Sequence, residues 1–197
     1  MAKLRSKWVG NLLRFLQGST QILDIDGDNN AVDVAALKIS GTSVSATAAE
    51  INRAADVSGR LVSVTTTPLA VAEATHEGKT IALNKADGIT ATLPAATGSG
   101  AVYRFVVGTT ASGGSYVIGV TGNDTFKGLA LGLDSEGVPA NAWAAGASDE
   151  VFTMDGSTQG GVVGDEVVFQ DIAADVWQVQ ARLQQSGTEA SPFSSAA

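Results

Sequence analysis

Asp24, Asp26, Asp28 and Asn30 place oxygen donors at alternate positions, the spacing with which a calcium loop presents its first four ligands. An EF-hand loop also needs Gly at its sixth position and a bidentate Glu at its twelfth, and Asn29 and Ala35 stand there instead. A solvated turn, with Asx side chains bonding their own backbone, fits the stretch better, so no metal and no cofactor are expected. The one histidine, His76, sits in Glu73-Ala74-Thr75-His76-Glu77-Gly78, where an imidazole between two carboxylates would respond to pH. The stretch has the look of an exposed loop, and a surface histidine without a role is the expectation. Asp165 and Glu166 are adjacent, so in a strand they face opposite sides and cannot act as an acid–base pair. Asp149, Glu150 and Asp155 could gather at one end of a sheet, but solvated turns are the default for them. No G-x-S-x-G elbow occurs, and Gly113-Gly114 and Gly160-Gly161 lack the following helix that phosphate binding needs. Without cysteine there is no thiolate nucleophile or thiolate metal site. These residues do not assemble an enzyme. Two tryptophans bear on sugar binding. Trp177 shares a strand face with Val179 and belongs in a core or interface, whereas Trp143, in the Gly- and Ala-rich stretch 141–147, is expected to be exposed and to offer a weak glycan contact.

The chain that must position these residues has 197 residues, with 44% hydrophobic, 16% charged and 6% aromatic side chains. Its length suits one domain, or a domain with a substantial arm. Abundant Gly and Thr between short Val-rich runs favour an all-β domain with frequent turns. The low charge density suits a surface partly covered by other subunits. A net charge of −8 argues against nucleic-acid binding, which needs clustered Lys and Arg. Charge is also uneven. Residues 1–23 carry Lys3, Arg5, Lys7 and Arg14 with no acid, while the other eight basic residues face all 20 acids, a net −12. A basic arm on an acidic body suits one end docking and the other facing solvent. The apolar stretch Trp8–Leu16 is broken by Asn11 and Arg14, unlike a signal peptide, and no run is long enough to span a bilayer.

Leu4, Trp8, Leu12, Phe15 and Leu16 recur at helical spacing, but a hairpin of Leu12–Leu16, a turn at Gln17-Gly18-Ser19 and a return over Gln21–Ile25 competes. A short helical or irregular start through about Gly10, then the hairpin, is expected. Short strands follow at Ala31–Val34 and Ala36–Ile39. Thr47 and Glu50 form a capping box for a helix running to Ala55, with Asp56-Val57-Ser58-Gly59 as its stop. Beyond Gly59, strands are expected near Leu61–Thr65, Thr80–Asn84, Ile89–Leu93, Ala101–Val107, Tyr116–Val120, Thr125–Leu131, Glu150–Met154, Glu166–Gln170 and Val176–Leu183. Asp87-Gly88 and Asp155-Gly156 mark turns that need positive φ. The fold class is mainly β. An N-terminal docking arm, hairpin and connector helix occupy 1–59, a β-sandwich or jelly-roll-like domain 60–185, and an extended tail 186–197.

Gly41-Thr42-Ser43-Val44-Ser45-Ala46-Thr47-Ala48-Ala49-Glu50-Ile51-Asn52 resembles the G-T-x-V-[TS]-A-T-A-A-E-[LI]-N segment of structural proteins of tailed-phage virions, especially fibres and head-associated proteins. Ile89–Val107, with Pro94-Ala95-Ala96-Thr97-Gly98-Ser99-Gly100, looks like a second segment found in small phage virion proteins. The resemblance implies a capsid decoration or cementing protein that binds the outside of a tailed-phage capsid and stabilises it, located on the capsid exterior and, during assembly, in the host cytoplasm. Its partners would be the major capsid protein and further copies of itself, most naturally as a trimer, with no nucleic acid and no membrane. Lys3, Arg5, Lys7, Trp8, Leu12, Arg14 and Phe15 are the expected capsid-docking residues, and Thr47, Glu50 and Ile51 the expected oligomer connector. A head or tail fibre with a receptor- or carbohydrate-binding tip is the alternative, although the chain is short for a fibre and shows no shaft-like repeat.

Overall fold

The computed structural model describes residues 4–9, 12–17, 20–26, 31–34, 38–39, 42–55, 59–134 and 140–196. The chain divides into two compact units, residues 1–55 and 56–197. The first holds an antiparallel meander of β1 (Leu4–Val9), β2 (Leu12–Gln17), β3 (Thr20–Asp26) and β4 (Ala31–Val34). A ribbon of β5 (Lys38–Ile39) and β6 (Thr42–Ser43) and the helix α1 (Ala48–Ala55) follow. The hairpin is as expected, but the helical start is not: Leu4–Val9 pairs with β2 along its whole length, from Leu4↔Gln17 to Val9↔Leu12. A helix of this length is marginal without tertiary support, so strand pairing wins over the helical spacing. Asp24, Ile25 and Asp26 also belong to β3 rather than to a turn, while the rest of that acidic run, residues 27–30, lies outside the described residues. The capping box at α1 forms as the sequence dictates. Glu50 N–H donates to Thr47 Oγ1 at 3.2 Å, and Thr47 N–H donates to Glu50 Oε2 at 2.6 Å.

The second unit contains β7 (Leu61–Val64), β8 (Leu69–Ala70), α2 (Glu73–His76), β9 (Thr80–Leu83), β10 (Ile89–Thr92), β11 (Val102–Val107) and β12 (Tyr116–Gly119). It continues with β13 (Thr125–Asp134), β14 (Asn141–Ala144), β15 (Val151–Met154), β16 (Glu166–Ala173), β17 (Val176–Gln185) and β18 (Phe193–Ser194). The strands make a five-stranded sheet, β18-β15-β12-β10-β8, and a seven-stranded sheet, β14-β13-β17-β16-β11-β9-β7. Every expected strand is present. Glycines take the anticipated positive φ at both Asp-Gly turns, 87° at Gly88 and at Gly156. The sequence did not announce β8 or β14, and the tail contributes β18, which pairs antiparallel with β15 at the sheet edge.

From β7 to β13 the chain changes sheet at every step, so strands two apart in sequence lie side by side and run parallel, as in β7–β9–β11 and β8–β10–β12. Both sheets are consequently mixed, which distinguishes this sandwich from the antiparallel jelly roll. The buried alternate positions of the two sheets meet in one core. Tyr103, Phe105 and Val107 on β11 are buried, as are Trp177, Val179, Ala181 and Leu183 on β17, so the period-two reading of Trp177 holds. Phe169 is the hub. Its ring lies 5.2 Å from Phe126, 5.8 Å from Phe105 and, across the layers, 6.0 Å from Phe152. We expect Phe169→Ala to cost about 3–5 kcal/mol in urea-induced unfolding, whereas Ile172→Ala, half-exposed on the same strand, should cost under about 0.5 kcal/mol.

Candidate interaction surfaces

Five of the fifteen acids of the second unit are bound by donors of its own loops. Asp171, at the end of β16, is 2% exposed and accepts from the backbone N–H groups of Thr97, Gly98 and Ser99 at 3.0, 2.7 and 2.9 Å, and from Ser99 Oγ at 2.7 Å. The Ala96-Thr97-Gly98-Ser99 wording thus has a structural cause: the loop wraps a carboxylate. Burial raises the Asp171 pKa, but these donors outweigh it and hold the group at about 2. Asp124, equally buried, accepts from Ala96 N–H at 2.8 Å and Trp177 Nε1–H at 3.2 Å. Asp165 accepts from Gly161, Val162 and Gln184 N–H groups, yet there burial prevails and pushes its carboxyl up. Asp155 is desolvated too, but bonds from Thr158, Gln159 and Ser157 draw it below the usual range. Asp149 Oδ2 accepts from Gly146 N–H at 2.6 Å. Among the described residues no cluster of three or more His, Cys, Asp or Glu side chains could hold a metal ion, and no helix is long and apolar enough to cross a membrane.

Two expectations need correction. His76 is not a surface residue. It closes α2, is 6% exposed, and its Nδ1 lies 3.0 Å from Ala72 N and 3.2 Å from Ala72 O. A single helical turn, too short to read from periodicity, turns it inward. Trp143 is not an exposed platform either. It lies half-buried on β14 against the core, and Nε1–H donates to Gln185 Oε1 at 3.1 Å. Gln185 is wholly buried, and its amide also donates to Thr158 O and Ala190 O. A Cβ at position 132 would lie 1.7 Å from Gln185 Oε1, so this site requires Gly132. The Gly- and Ala-rich wording that suggested a loop at 141–147 conceals an edge strand.

The expected docking residues fall on β1 and β2, apart from Lys3, which lies outside the described residues. The register puts Arg5, Lys7, Leu12 and Arg14 at positions of one sheet face and Trp8 and Phe15 at positions of the other. A helix would have gathered the apolar members on one side; the meander distributes the set over two. Thr47 and Glu50 are engaged with each other in the α1 cap, and Ile51 is 42% exposed.

One surface had not been foreseen. The outward face of β13 carries Leu129, Leu131 and Leu133, which are 53, 49 and 64% exposed. They border a groove of about 630 Å³ that crosses β17, lined by Leu129, Leu131, Val168, Gln178, Gln180 and Arg182. At its β16 wall, Glu166 is paired with Arg182 at 3.0 Å and with Arg104. Burial raises the Glu166 pKa, but Arg182 and Arg104 outweigh it and hold the carboxyl below its ordinary range. The signal was present in Lys127-Gly128-Leu129-Ala130-Leu131-Gly132-Leu133, whose alternation predicts a strand but does not say which alternate set points inward. No known family, curated protein or solved structure matches this chain.

Asp171 supplies a pH test. Its folded pKa of about 2 lies below the ordinary 3.8, so its contribution is complete above the ordinary value and is lost as pH falls through the folded one. Asp171→Asn should lower stability by about 2 kcal/mol at pH 7. The gap to the parent should narrow below pH 4 in urea melts, and a pH-independent gap would contradict the assignment.

Proposed function

We propose that this chain is a structural, non-enzymatic virion protein of a tailed phage, a decoration protein that binds the outside of the capsid and stabilises it, as a trimer. The observation that carries the reading is the Gly41–Asn52 segment with its virion-protein wording. Its Thr47 and Glu50 are the two residues that close the α1 cap. Further support comes from the second unit, whose buried carboxylates are saturated by loop donors and so suit a rigid surface better than a reacting centre. Charge supports the division of labour. Unit 56–197 holds six basic residues against fifteen acids, while unit 1–55 holds six against five. The first unit docks through Lys3, Arg5, Lys7, Trp8, Leu12, Arg14 and Phe15, and the second faces solvent. Copies that bind only the assembled shell stabilise it by mass action.

The register separates the charged from the aromatic docking residues, so the two can be tested apart. Arg5→Glu with Lys7→Glu should weaken capsid binding about tenfold and in a salt-dependent way. Trp8→Ser with Phe15→Ser should weaken it more than about a hundredfold. Sedimentation with purified capsids reads both, and removal of residues 1–16 should abolish binding; unchanged occupancy after that deletion refutes the docking role.

A further inference from the structure

We infer that the leucine row of β13, with the neighbouring edge of β14, seats a second copy of this chain. The inference deepens, and rests on, the proposed trimeric decoration protein. The first argument is the inversion of β13. After Phe126 and Lys127, its inward positions hold Gly128, Ala130 and Gly132, while its outward positions hold the three leucines. A β-strand of a soluble sandwich ordinarily turns its large apolar side chains to the core and small or polar ones to water. Here the core side has no room. A Cβ at 128 would stand 1.9 Å from Val179 O, as one at 132 would meet Gln185. That explains the small residues inside, but leaves the leucines outside without a role in the isolated chain. Three of the seven large apolar side chains exposed among the described residues fall on this one strand, a concentration typical of interaction surfaces.

Charge and shape select the occupant. Unit 56–197 is strongly acidic, so two copies repel across most of their surfaces. The stripe is different. Leu129, Leu131 and Leu133, together with Ala142, Ala144, Gln178 and Gln180, carry no ionisable group, and the charges that border them are basic in sum: Lys127 on the same strand, and Arg104 and Arg182 around Glu166. A second copy can approach there without the acid–acid repulsion of the rest of the unit, and its acidic surface complements this basic rim. Register places Ala144 beside Leu129 and Ala142 beside Leu131, so the leucines overlook a low shelf towards the sheet edge. The edge strand β14, Asn-Ala-Trp-Ala, has none of the Lys, Pro or inward charge with which free edges are commonly guarded. The row is also self-matching. A threefold axis along β13 sets Leu129, Leu131 and Leu133 each against its own counterparts, in layers about 6.7 Å apart.

The test is sedimentation equilibrium of the full chain beside a Leu129→Ser/Leu131→Ser/Leu133→Ser variant, and beside Leu131→Asp as a second disruption. Because all three leucines are about half-exposed or more, the variants should keep the far-ultraviolet spectrum of the parent. The parent should run as a trimer, and both variants as monomers at a hundredfold higher concentration. A monomeric parent, or a trimer that survives the triple substitution, overturns the inference. So does a trimer lost on removing residues 1–16 but kept in the leucine variants, which would put the contact in the first unit. Capsid occupancy measured in parallel separates the two ideas: a monomer that still coats capsids defeats this interface alone, and a trimer that ignores capsids supports it while defeating the decoration role.

Discussion

Loop backbone bound to buried carboxylate is the interaction on which the second unit depends. A chain that changes sheet at almost every strand needs many loops across the ends of the sandwich, and their N–H groups have no ladder to join. Each amide left buried without a partner would cost about 1–3 kcal/mol. Asp124, Asp165 and Asp171 meet that need from inside, each gathering donors from a segment distant in sequence or from the turn before its own strand. Asp171 alone serves three successive amides of the 97–99 loop. Burying a carboxylate is expensive, and charge-assisted bonds of this number are what make it tolerable. The side chains are satisfied as well: among the described residues no buried side-chain nitrogen or oxygen lacks a partner.

The same arrangement governs what the surface can do. Three of the acids, Asp124, Asp165 and Asp171, are internal fasteners rather than a reactive inventory. The outward face of the seven-stranded sheet is then the more distinctive chemistry: apolar on β13 beyond Lys127, amide-rich on β17, and charged where Glu166 sits between two guanidinium groups. Such a face favours contact with another surface over turnover of a small molecule. The first unit differs, with nearly balanced charge and a meander whose register puts Arg5 and Lys7 on the face opposite Trp8.

Legibility followed the range of the forces involved. The α1 cap was readable because Thr47 and Glu50 interact over a single turn, and the strands because period-two burial writes itself into Val102–Val107 and Val176–Gln185. Asp-Gly turns were readable for the same local reason. What escaped was decided at a distance. His76 turns inward on a helix of one turn, Trp143 is drawn to the core by Gln185, and the role of Asp171 depends on a loop over seventy residues away. The start of the chain was misjudged because Leu4, Trp8 and Phe15 satisfy both helical and strand spacing, and only pairing with β2 and β3 separates them. On β13 the alternation was visible but its sense was not, since the reason Gly128 and Gly132 face inward lies on β17.

The weaving of the chain between layers also sets an order of events in time. Parallel neighbours such as β7–β9 and β9–β11 can form only after the strand between them has crossed to the opposite sheet, and β13 pairs with β17 across three intervening strands. Phe193 on β18 completes the aromatic cluster by packing 5.1 Å from Phe152. The sandwich therefore lacks its last edge strand and this ring contact until residues 193–194 arrive, and so many non-local pairings make folding slow for the size of the unit. Until then the leucines of β13 are one apolar segment among many. Only a completed sandwich displays them as an ordered row, so with the interface proposed above, recognition between copies would be a late step that selects for subunits already folded.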